Sequence, residues 1–137
     1  MPILFGAARL AGLSVDGAYA MHAAVAIPAA CAMAYLWLKD ARFELRAALL
    51  AITTLLVQPY FIYYDFAWLA LPIAFILRDA DRLALTRLEM RTLAAAWAMP
   101  ALGFFAERLD IPIEFGMPVL VALPAMILRR HFAKQSA

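Results

Sequence analysis

Charged residues fall in clusters along the chain, and long stretches between the clusters contain none. The first clean run, 18–38, covers about 31 Å as an α-helix, enough to cross a bilayer core. It is rich in alanine, and Ala26, Ala30 and Ala34 recur every four residues, a spacing that lets a second helix approach closely. The run ends at Trp37, Lys39 and Asp40, and a polar connection lasts through Arg46. From Ala47 to Leu77 the sequence is almost wholly apolar and too long for one span. Gln58, Pro59 and Asp65 interrupt it, and proline both removes a backbone donor and biases its predecessor towards extended backbone. The pattern therefore predicts a hairpin of helices over 43–57 and 64–77. A further pair is expected at 91–106 and 111–128, divided by Glu107, Arg108 and Asp110 and closed by Arg129, Arg130 and Lys134.

Two stretches fit no span. Residues 1–16 carry Gly6, Arg9, Gly12 and Asp16 and read as an extracytoplasmic interfacial segment. Arg78 to Arg91 reads as an amphipathic surface helix with Leu83, Leu88 and Met90 towards lipid. The expectation is one transmembrane region over 1–137 with a cytoplasmic tail at 129–137.

Composition changes the picture by naming the solvent. Hydrophobic residues make up 67% of the 137 residues and charged ones 16%, against about half and a quarter in soluble domains. A chain this small leaves much of its surface exposed, so lipid is the expected surrounding. One cysteine, five glycines and a net charge of +2 exclude a disulfide scaffold, a collagen-like repeat and an electrostatic nucleic-acid binder. Ten of the twelve basic residues fall on one side of this layout, the cytoplasmic one by the positive-inside rule. The expected fold is thus an all-α, polytopic transmembrane bundle of about five helices, N-terminus outside and C-terminus inside, in a bacterial inner membrane.

Candidate chemistry concentrates at the hairpin apex, Gln58-Pro59-Tyr60-Phe61-Ile62-Tyr63-Tyr64-Asp65. A carboxylate inside an apolar run marks a functional site by default. Asp65 is equally placed to cap the helix it opens, and the tyrosines to form an interfacial belt. The arms 47–57 and 66–77 are each only about 16–18 Å long, so the apex is expected to sit below the outer surface and line a wet cavity. His22 is read as a hydrogen-bonding residue within the bundle and His131 as a cation suited to a helix C-terminus. Cys31 stands alone. Glu107, Asp110 and Glu114 form an acidic outer loop, and Pro112, Pro118 and Pro124 suggest bends. No spacing suits a metal, a phosphate loop or a nucleophile elbow.

The leucine-rich arm, Pro59-Tyr60, Tyr64-Asp65 and the following Leu69, Leu71 and Pro72 resemble the C-terminal part of the DUF2029 family, glycosyltransferase family 87. The opening 5–14 and Ala18-Tyr19-Ala20 resemble a segment before a late helix of bacterial members. The resemblance implies a GT-C-like region that helps transfer a hexose, mannose first, from a polyprenyl-phosphate donor to an extracytoplasmic acceptor, with no metal or other cofactor. It implies substrate binding by Gln58, Tyr60, Tyr64 and Asp65.

The family's catalytic base lies in an outer loop after its first membrane helix, which has no counterpart here, so Asp65 is only a weak candidate for that role. The implied partners are the bilayer, the lipid-linked sugar and an N-terminal transmembrane half in cis or in trans; the chain alone is expected to be inactive. Two other readings stand beside this one, a non-catalytic scaffold or lipid-binding protein and a small transporter subunit.

Overall fold

A computed structural model of the chain describes residues 8, 11–58, 63–109 and 116–133. Among these residues the fold is all-α: α1 (Val15–Leu38), α2 (Phe43–Val57), a 3-10 helix (Tyr63–Leu69), α3 (Ala70–Asp79), α4 (Arg87–Arg108) and α5 (Gly116–Ala133).

Helix α1 starts earlier than its apolar run because Ser14 caps it, its Oγ accepting from the Gly17 N–H at 3.1 Å. Asp16 therefore sits in the first turn, where the helix dipole favours a carboxylate. Its C-terminus closes on a six-residue loop. Ala41 N–H donates to Leu36 O at 3.0 Å and Asp40 N–H to Trp37 O at 3.2 Å, with Asp40 left-handed at φ 46°. This is a Schellman turn, and its apolar contact is between buried Leu36 and Ala41.

The turn delivers the chain into α2, the centre of the bundle, which packs against α1, α3, the 3-10 helix and α5. Nine of its fifteen residues are buried, among them Leu45, Leu49, Ile52 and Leu56, as expected of a helix surrounded by others. On α1 the packed face runs through Ala26, Ala29 and Leu36, with Val25, Ala32 and Met33 beside it. This corrects the expected alanine stripe: Ala30 is half-buried and Ala34 exposed. A strict spacing of four drifts around a helix of 3.6 residues per turn, and steps of three and four mixed together do not.

The second arm of the hairpin is not one α-helix over 64–77. It begins as the 3-10 helix, becomes α3 at Ala70 and runs on to Asp79. Pro72 accounts for the junction. In a continuous α-helix it would leave the Trp68 carbonyl without its donor and clash with it, and tighter 3-10 pairing before the proline avoids both. Trp68 ties this segment to the core, its indole N–H donating to the Ala51 carbonyl at 3.1 Å.

The expected surface helix over 78–91 does not form. Residues 80–83 turn, and α4 already begins at Arg87. Leu83 is half-buried, whereas Leu88 and Met90 are exposed as expected. The start of α4 is fixed by a capping box in which Thr86 N–H donates to Glu89 Oε2 at 2.8 Å and Glu89 N–H to Thr86 Oγ1 at 3.2 Å. The expected tail at 129–137 is corrected too, because α5 continues through Ala133 and takes in Arg129, Arg130 and His131. Pro118, in the first turn of α5, is tolerated there; Pro124 lies buried inside it. Pro112 and most of segment 1–16 lie outside the described residues.

By length and composition, only α1 among the described helices is long and apolar enough to cross a membrane. Large apolar side chains nevertheless face outwards on every helix, among them Ile27, Leu38, Leu50, Leu77, Leu88, Trp97, Phe105 and Val121.

Candidate functional site

Two polar regions occupy opposite ends of the bundle. One is an ion cluster that ties together the ends of four helices. Asp79, at the C-terminal end of α3, has no exposed surface, and Arg130, in the last turn of α5, is 1% exposed. Arg130 Nε donates to Asp79 Oδ2 at 2.8 Å, its Nη1 to Glu89 Oε2 at 3.2 Å and its Nη2 to the Leu83 carbonyl. Arg42, just before α2, grips the same carboxylate from the other side. Its Nη2 donates to Oδ2 at 3.1 Å and its Nε lies 2.9 Å from Oδ1. At the edge Arg82 reaches Glu44 at 3.5 Å.

Helix dipoles explain part of this pairing. Arg130 near a C-terminus and Glu89 in a first turn sit where their charges are favoured. Asp79 at a C-terminus and Arg42 at an N-terminus sit where theirs are not, and these two are paired with each other. Three guanidinium groups meet three carboxylates, so the cluster is balanced in charge. Every carboxylate in it is engaged by a guanidinium, and Arg130 spends all three nitrogens on protein oxygens. Such an arrangement fastens helices and offers neither a general base nor a seat for an anion.

The apex lies at the other end. Helix α2 carries the chain about 24 Å from Arg42 to Gln58. Gln58 is exposed at its C-terminal cap, and Asp65 is half-buried in the first turn of the 3-10 helix. Asp65 thus stands inside the 3-10 helix, not ahead of it as a cap would. Tyr64 is the second residue of that helix; Tyr60 lies outside the described residues. His22 Nε2 donates to the Val57 carbonyl at 3.1 Å, which realises the expected bond within the bundle and fixes the end of α2 level with His22. The seven residues of α1 before His22 extend about 10 Å further.

Among the described residues no three His, Cys, Asp or Glu side chains gather in a way that would hold a metal ion. Cys31 is exposed on α1, and His131 packs edge-on against Tyr35 with ring centres 6.1 Å apart. Asp110 and Glu114 of the acidic loop lie outside the described residues.

Sequence reasoning missed Asp79, Glu89 and Arg130 as a set. Thr86-Arg-Leu-Glu89 is a capping-box signature and was the available signal for Glu89. Asp79 and Arg130 stand in charged runs and carried no local mark of burial. Together these features define a small all-α bundle with a buried ion clasp at one end and a polar hairpin apex at the other. No protein-family model, no curated protein and no solved structure matches the chain.

Proposed function

We propose that the chain forms the C-terminal membrane region of a GT-C-like glycosyltransferase that uses a polyprenyl-phosphate hexose. It crosses the bilayer several times, and its Gln58–Asp65 apex contacts the lipid-linked donor on the extracytoplasmic side. The observation that carries this reading is the placement of the apex. Gln58, at the end of the bundle opposite the ion clasp, stands about 10 Å short of the end of α1. A polar position set back from the helix ends suits a site at membrane depth where it is buried in protein or lines a wet cavity. The outward-facing apolar side chains on all five helices support a lipid surrounding.

In this reading Gln58, Tyr60, Tyr64 and Asp65 hold and orient the donor, and base catalysis falls to a region supplied in cis or in trans. A photoactivatable polyprenyl-phosphate mannose added to membranes of the source cell is expected to label the peptide spanning 58–65. Asp65→Asn is expected to reduce that labelling and hexose transfer at least about tenfold at unchanged protein level, the loss of one charge-assisted hydrogen bond. Absence of labelling anywhere in the chain would remove the donor-binding reading. Labelling with unchanged transfer in Asp65→Asn would leave a non-catalytic lipid-binding scaffold.

A further inference from the structure

The ion clasp has an outward consequence for the end of the bundle that carries it. Glu44, Asp79 and Glu89 are buried and engaged by arginines, and Asp40 is paired with Arg46 at 2.6 Å. That leaves Lys39, Arg78, Arg87, Arg91 and Arg129 exposed around the same end, facing one exposed carboxylate without a side-chain partner, Asp81. The basic residues flank the clasp in sequence: Arg78 precedes Asp79, Arg87 and Arg91 bracket Glu89, and Arg129 precedes Arg130. With Arg42 and Arg130 neutralised inside the clasp, the exposed cations of this end outnumber its exposed carboxylates, Asp40 and Asp81.

Between the cations stand exposed apolar side chains. Leu88 is 66% and Met90 53% exposed in the first turn of α4, on either side of Glu89, while Arg87 and Arg91 lie one turn apart. Trp37, Phe43, Leu77 and Phe132 are exposed around the same end. A soluble anion would have no use for this apolar surround. A lipid supplies both a phosphate for the guanidinium groups and acyl chains for the leucine and methionine, and long basic side chains suit such a boundary because their stems stay in the apolar phase.

We infer that the basic end of the bundle is a docking surface for anionic phospholipid headgroups, with Arg87, Arg91 and Arg129 as its principal phosphate contacts. The inference rests on the membrane reading above.

The test uses single-tryptophan reporters in a Trp37→Phe/Trp68→Phe/Trp97→Phe background, Leu88→Trp at the basic end and Leu109→Trp at the other. Each is reconstituted in phosphatidylcholine vesicles containing a minor fraction of brominated phosphatidylglycerol or brominated phosphatidylcholine. The expected result at position 88 is a preference for phosphatidylglycerol of about fivefold, the scale of one basic contact at a charged membrane surface. Arg87→Gln/Arg91→Gln/Arg129→Gln, or 0.5 M salt (roughly a 4–5 Å screening length), is expected to bring the ratio towards one, and position 109 should show no preference. Equal quenching by both lipids at position 88 overturns the inference and leaves the membrane reading standing. Quenching by neither lipid at either position removes both. Excess free glycerol phosphate that abolishes the preference would assign the cluster to a soluble phosphate and also overturn it.

Discussion

Asp79 is the residue on which the clasp turns, because two guanidinium groups share its carboxylate and it has no exposed surface. Removing one partner of a buried pair leaves the other charge desolvated, which costs more than the pair contributes. Asp79→Asn is therefore expected to lower the stability of the detergent-solubilised protein by about 3–5 kcal/mol, read by thermal unfolding. Asp79→Leu combined with Arg130→Met should lose less than Asp79→Asn alone, since no uncompensated charge from the principal pair remains. A double variant worse than the single one would show that Arg130 matters chiefly through its bonds to Glu89 and the Leu83 carbonyl. At this scale the sequence was readable where a residue stood out from its surroundings. Asp65 is a lone carboxylate among apolar neighbours and drew notice, whereas Asp79, between Arg78 and Arg82, looked like one of a solvated run. Burial there is produced by Arg42 and Arg130, 37 and 51 residues away, and no local pattern carries that information.

Among the elements, α1 and α2 form the interface whose chemistry is most sharply specified. Thr53, buried on α2, donates its hydroxyl to the Ala29 carbonyl at 3.4 Å, a contact that the small side chain of Ala29 permits. Ala29→Leu is expected to force the helices apart and destabilise the protein by about 1–3 kcal/mol. Ala34→Leu, on the exposed face, should change stability by about 0.5 kcal/mol or less. Equal effects in thermal unfolding would show that the stripe Ala26, Ala30, Ala34 is the packed one after all. The helices built on apolar runs were legible, because charge clusters bound those runs, and 43–57 matches in both bounds; the surface helix expected over 78–91 was a misreading of a turn. Two of the starts that moved did so through capping, Ser14 drawing α1 back and Thr86 with Glu89 drawing α4 back, and Pro72 divided the second arm of the hairpin. These signals are single residues, easily hidden beneath a strong hydropathy pattern.

For the whole molecule, the clasp gathers residues from the 39–46, 78–91 and 129–130 clusters at one end, the arrangement that charge counting predicted for successive antiparallel helices. Antiparallel helices give that arrangement in any solvent, and the proposed multi-pass path is open to a direct check. With Cys31→Ala as background, Asp81→Cys and Leu109→Cys are expected to react with a membrane-impermeant maleimide from opposite sides of sealed vesicles. Native Cys31, exposed midway along α1, should react only with a lipid-soluble reagent. Labelling of positions 81 and 109 from the same side would rule out the membrane-crossing path of α4. What the sequence concealed at this scale is that Asp79, Glu89 and Arg130 are buried together within the charged end. It arises from contacts between elements far apart in the chain.

The sequence separation within the clasp also sets an order of events during synthesis. Asp79 and Arg130 are 51 residues apart, which at ribosomal rates of about 5–20 residues per second is roughly 3–10 s of elongation. During that interval Asp79 has Arg42 alone, and Glu89 has no guanidinium. The full pairing of the clasp therefore waits on α5. A chain cut before Arg130 lacks the partner that Asp79 and Glu89 share, so the clasp is the part of the bundle that depends on α5 for its completion.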